Sequence, residues 1–153
     1  MEVLLDHLVG GHHDLVRSEL PRLEQLLELV VRAGDPRGPA VRGLFADFAA
    51  AACSHLFNEE TVVFVAFREL AQAPLASPGL ERAVALLVQE HARMMAMLAQ
   101  LRALAAALVP APEAGAAHAE LVRGLAGLVA GIGEHIRLEE TLLFPWALAR
   151  TRG

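Results

Sequence analysis

Apolar residues recur along most of this chain at alternating steps of three and four, the spacing of helices that bury one face. The pattern breaks where proline and glycine cluster, in AGDPRGP (33–39), APLASPG (73–79) and VPAPEAG (109–115). Between the breaks it predicts four long helices, over about 3–32, 40–72, 80–108 and 116–149. Connections this short place sequential helices antiparallel. The expected fold is all-α: an antiparallel up-down-up-down four-helix bundle, formed as a single domain by residues 1–153.

Following each buried face gives four seams. The first runs Leu5, Val9, His13, Val16, Leu20, Leu23, Leu27, Val30, and the second Val41, Phe45, Phe48, Ala52, His55, Glu59, Val62, Ala66, Leu70. The third runs Leu80, Val84, Leu87, His91, Met94, Leu98, Leu101, Ala105, Leu108, and the fourth Leu121, Leu125, Leu128, Ile132, His135, Glu139, Leu142, Trp146. Each seam is apolar except at one place, where it carries a lone His or an HxxxE pair. A rise of about 1.5 Å per residue converts position into height. Measured from the end where the first and third helices begin, His13 and His91 lie at roughly 15 and 17 Å, and His55, Glu59, His135 and Glu139 at roughly 22, 17, 17 and 11 Å. The six polar residues therefore share a slab about 10 Å thick.

One HxxxE pair would be weak evidence, because such pairs are common on exposed helix faces. Two copies on apolar seams, matched in height by two lone histidines, are a different matter. Buried without compensation, these groups would each cost several kcal/mol or be driven neutral. A cation removes that cost. A set of imidazoles and carboxylates suits borderline first-row metals, and each two-oxygen carboxylate can bridge a pair of ions. Two six-coordinate ions present about twelve positions, of which these residues fill about eight. The remainder suits an exogenous small molecule better than a purely structural metal. Ferritin-like carboxylate proteins use Glu-x-x-His and more Glu than His; here the order is reversed and His predominates. The absence of Tyr removes tyrosyl radical storage.

Composition narrows the class further. With 153 residues and 55 % hydrophobic content, the chain can bury a substantial core. A net charge of −5 without a basic cluster argues against nucleic acid as a partner. Glu2 and Asp6 stand where a secretory signal would be positive, and the apolar runs 103–112 and 124–133 fall short of the roughly 20 residues that span a bilayer. The expectation is a cytoplasmic protein with no membrane partner. Cys53 reads as a small buried hydrophobe. The hydrophobic fraction hints at a homodimer through an apolar outer face, although Ala-rich helices would also account for it.

The constellation resembles the haemerythrin-like domain family: one His, then HxxxE, then one His, then HxxxE. Its most specific parts, HLFNEETVVF (55–64) and HIRLEETLLFP (135–145), are similar to two helices of the family's repair-of-iron-centres branch. HHDLVRSELPRL (12–23) and VQEHARMM (88–95) are similar to its first and third helices. The resemblance implies a centre of two non-haem iron ions with His13, His55, Glu59, His91, His135 and Glu139 as ligands. Manganese or zinc could take the same donors, availability deciding among them. Two departures bear on the role. The repair branch carries a further ligand His where this chain has Ala33 and Gly34, and many members carry an upstream Cys-containing domain. A centre with one fewer His resembles the family's proteins that handle peroxide and nitric oxide.

His12 is the candidate to replace that missing ligand, though its rotation of about 100° from His13 favours a place at the rim. His7 and His118 read as solvated. Glu60 and Glu140 either accept an imidazole proton or lie on a solvated or ion-paired face. Met94, Met95 and Met97 read as core filler. Phe57, Phe64, Phe144 and Trp146 are expected to pack around the site, and Pro145 to end or kink the fourth helix while the second runs straight. The functional expectation is a diiron protein that binds or reacts with O₂, NO or peroxide, in oxidative or nitrosative stress defence or iron-centre repair. The rivals are a non-enzymatic O₂ or NO sensor or carrier, and a structural bundle whose site is empty or holds adventitious metal.

Overall fold

The structure, a computed structural model, describes residues 1–32, 35–73 and 78–151. Among these there is no strand, and the helices form four rods. The first contains α1 (Glu2–His7), a π-helical turn (Leu8–His13) and α2 (Asp14–Val31). The second contains α3 (Gly38–Asn58), a π-helical turn (Glu59–Val63) and α4 (Phe64–Gln72). The third is α5 (Pro78–Ala107) without interruption. The fourth follows a 3₁₀ turn (Pro112–Ala114) and contains α6 (Gly115–Leu138), a π-helical turn (Glu139–Leu143) and α7 (Phe144–Thr151). Ala33 and Gly34, where the repair branch would carry its extra His, lie outside the described residues.

Polar contacts identify the two ends. Arg68, late in the second rod, meets Glu2 at 3.3 Å and Asp6 at 3.1 Å, and Arg150 Nε donates to the Leu70 carbonyl at 2.8 Å. At the other end the Val109 N–H donates to Asp35 at 2.8 Å. His118, expected in solvent, instead sets its Nε2 2.9 Å from the Ala105 carbonyl and ties α6 to α5. Gly124 permits the close approach of α6 to α2, since a Cβ there would collide with Leu23.

Two apolar clusters lie on either side of the polar slab. One gathers Leu23, Leu27, Phe45, Phe48, Leu98, Leu101, Leu121 and Leu125; the other gathers Leu5, Leu8, Phe64, Phe67, Leu87, Leu143 and Phe144. Met94 is buried, with Met95 and Met97 packed against the first cluster. No helix among the described residues is long and apolar enough to cross a membrane.

The π-helical turns correct the seams beyond the site. Each wider turn holds more residues than an α-helical one, so positions that follow arrive out of phase with a 3.6-residue period. Val62 and Leu142 are 58 % and 49 % exposed, while Val63 and Leu143 are buried in their place. In the first rod Leu8 is buried and Val9 only half-buried; at the far end of the fourth, Ala147 is buried and Trp146 half-buried. Pro145 does not distinguish the rods as expected, because both take the same π-helical turn and both continue as helix. It falls in the first turn of α7, where a missing N–H is tolerated. Cys53 is exposed rather than buried, and Phe57 is 66 % exposed, so neither belongs to the core. Both sit on the outward side of α3, which buries Ala52, His55 and Leu56 instead.

Candidate metal centre

All six seam residues converge in the slab between the two apolar clusters, and all are buried. The π-helical turns occur at this height. One ends on His13, and the other two begin at Glu59 and Glu139. In each of the latter a threonine two residues on hydrogen-bonds the carbonyl four residues back, Thr61 to Phe57 at 2.7 Å and Thr141 to Arg137 at 2.5 Å. These hydroxyls supply a donor where the backbone ladder changes register. The repeated EET was visible in the sequence, but its consequence for the backbone was not read from it.

The carboxylates lie between two pairs of imidazoles. Glu59 Oε2 is 3.4 Å from His13 Nε2 and 3.6 Å from His135 Nε2; its Oε1 is 3.3 Å from His55 Nε2 and 3.8 Å from His91 Nε2. Glu139 does the same, with Oε1 3.1 Å from His135 and Oε2 3.2 Å from His91. The donors fall into two overlapping groups, His13–Glu59–His135–Glu139 and His55–Glu59–His91–Glu139, each with ligand atoms within 4.8 Å of one another. Both carboxylates belong to both groups.

Every inward-facing nitrogen and oxygen of the six residues is buried without a hydrogen-bond partner: Nε2 of the four histidines and both oxygens of Glu59 and Glu139. Orphaned polar atoms at such density are costly unless something else satisfies them. The donor set suits cations, and Glu59 and Glu139 would each offer an oxygen to both groups.

The outward nitrogens are mostly satisfied. His13 Nδ1 lies 2.7 Å from Glu60, His55 Nδ1 2.8 Å from Glu90, and His91 Nδ1 2.9 Å from Glu140. Of the two readings open for Glu60 and Glu140, Glu140 takes the first, the partner of an imidazole, while Glu60 takes both, because Arg17 Nη1 also lies 2.9 Å from its Oε1. Glu90 was not anticipated; its only signal was its place directly before His91. His12 lies outside both donor groups, half-buried, with its ring centroid 5.9 Å from that of His135 and 5.1 Å from that of the exposed His7. Phe64 stacks on His13 at 5.6 Å and Phe144 on His91 at 6.0 Å.

Burial and charge compete over the protonation of this cluster. Burial alone would lower His91 and His135, but Glu139 and Glu59 outweigh it and raise them to about 10 and about 9. His55 is also raised, Glu59 overcoming desolvation. His13 is lowered, because burial there prevails over Glu60. Burial would raise Glu59, yet His135, His55 and His91 hold it well below the usual carboxylate range. The two carboxylates thus favour protons on His55, His91 and His135, and burial disfavours one on His13.

The profile of the hemerythrin HHE cation binding domain matches residues 4–147. The chain belongs to this family. It is also similar to proteins named iron-sulfur cluster repair protein YtfE from Salmonella paratyphi B, Salmonella newport and Salmonella heidelberg, each 27 % identical over 95 % of this chain. The chain spans 66 % of the length of these relatives. Membership in the family agrees with the resemblance carried by the two HxxxEET segments, and the repair proteins agree with the branch it pointed to.

Proposed function

We propose that this hemerythrin-family chain holds two iron ions with His13, His55, Glu59, His91, His135 and Glu139, and uses them on O₂, NO or peroxide in stress defence or iron-centre repair. The carrying observation is the pair of overlapping donor groups that share both carboxylates, with every inward ligand atom orphaned. Glu59 and Glu139 would hold the pair together, one oxygen to each side, while two imidazoles complete each side. Iron in such a site would supply open coordination positions and one-electron chemistry. The surrounding bundle is read as the antiparallel up-down-up-down form, one cytoplasmic domain over residues 1–153. A homodimer would bury Phe57, Val62 and Val65, which the chain leaves exposed.

A cavity beside the site offers about 10 Å³ to the centres of water-sized molecules. That is room for about one water-sized guest. His55, His91 and His135 line it together with Val16, Ala52, Leu56, Met94, Ile132 and Ile136. Apart from the three imidazoles its walls are apolar, which suits a small neutral guest and supports the second reading, a sensor or carrier that binds O₂ or NO without turnover.

Elemental analysis of protein from iron-replete cells, with the visible spectrum before and after O₂, NO and peroxide, tests both. Two irons per chain and a spectrum that responds are expected. Reversible change with negligible peroxide consumption selects the carrier, whereas one zinc or no metal with a featureless spectrum overturns the diiron assignment.

A further inference from the structure

We propose that the two cation positions are unequal and that the His55/His91 position binds more tightly, an inference that rests on the dinuclear reading above. The reason lies behind the imidazoles. Their outer partners progress around the bundle in one direction: His13 on the first rod meets Glu60 of the second, His55 on the second meets Glu90 of the third, and His91 on the third meets Glu140 of the fourth. The same step from His135 on the fourth rod leads to the first. There the residue is His12, which precedes His13 as Glu90 precedes His91, with its ring centroid 5.9 Å from that of His135. One of the four outer positions therefore lacks a carboxylate.

A second asymmetry adds to the first. Glu60 is shared with Arg17, whose Nη1 lies 2.9 Å from the same Oε1 that faces His13. Glu90 and Glu140 have no arginine within ion-pair distance among the described residues. Glu134, on the helix beside His12, is engaged by Arg137 at 2.7 Å. Behind His55 and His91 stand two uncompensated carboxylates; behind His13 and His135 stand one neutralised carboxylate and an imidazole. A carboxylate that accepts the outer N–H fixes the ring and strengthens Nε2 as a donor, and losing such a partner typically costs about 10–100-fold in metal affinity.

Titration of the metal-free chain with zinc against a chromophoric chelator measures both positions, with bound zinc counted by elemental analysis. Two steps separated by about tenfold or more are expected. Glu90→Gln should weaken the tighter step by about 10–100-fold and leave the looser one in place, while Glu60→Gln should weaken only the looser. Two equal steps in the wild-type chain, or a Glu90→Gln effect confined to the looser step, overturn the proposal. The wild-type titration needs no variant to fold. Two zinc ions bound with equal affinity would reject this inference alone, whereas a chain that never takes a second zinc would count against the dinuclear reading.

Discussion

The segments 55–64 and 135–144 share His, Glu, Glu and Thr at the same spacing, and the fold treats the two alike where they face inward. Each buries its first Glu, opens a π-helical turn at that residue and ties a threonine to the carbonyl four residues back. Each aims one carboxylate oxygen at either side of the site. Outward they diverge. His55 rests on Glu90, and His135 has His12 beside it instead of a carboxylate. The inward repeat follows from local sequence, but the outer surroundings come from whichever rod packs alongside. A duplicated motif can thus present the same groups inward and still stand in unequal surroundings.

The inward likeness is broken most severely at the carboxylates. Glu59→Ala and Glu139→Ala should each lose most bound metal, because each residue belongs to both donor groups, and elemental analysis of purified variants checks this. Retention of wild-type metal by either variant would sink the bridging role. The next largest effect concerns the register after the turns. Leu143→Ala should cost about 2–5 kcal/mol in denaturant unfolding, while Leu142→Ala should stay within about 0.5 kcal/mol. The reverse order would restore an uninterrupted α-helical seam.

Protonation gives a third handle. In the metal-free chain His91 is raised to about 10 and His135 to about 9. A raised imidazole contributes stability that is full below its unfolded value near 6.5 and is lost as pH climbs through the folded value. The melting temperature of the metal-free chain should therefore fall between about pH 6.5 and 10, and metal should bind more strongly across that range as protons leave. A melting temperature that rises through this interval would contradict the assignment. The smallest effect belongs to the threonines: Thr61→Val and Thr141→Val should each cost about 0.5–1.5 kcal/mol, the net worth of one hydrogen bond. Matching losses would support equivalent turns, and a loss at one position alone would separate them.

Much of this protein was legible in its sequence. Helical periodicity and the Pro/Gly breaks located the four rods, because amphipathic burial leaves a local record. The same seams picked out His13, His55, Glu59, His91, His135 and Glu139, since polar residues on an otherwise apolar stripe stand out, and a constant rise per residue let their heights be compared. Three things required the tertiary structure. Period counting cannot register a π-helical turn, so it points Val62 and Leu142 inward where the structure buries Val63 and Leu143 instead. Phe57 and Cys53 needed the rotation of α3 against its neighbours to be assigned to the surface. Glu90 and His12 acquire their positions behind the imidazoles only when rods distant in sequence pack together. A single helix records which face it buries; which residue of a neighbouring helix stands behind a given side chain is settled by packing between helices, and no local pattern encodes it.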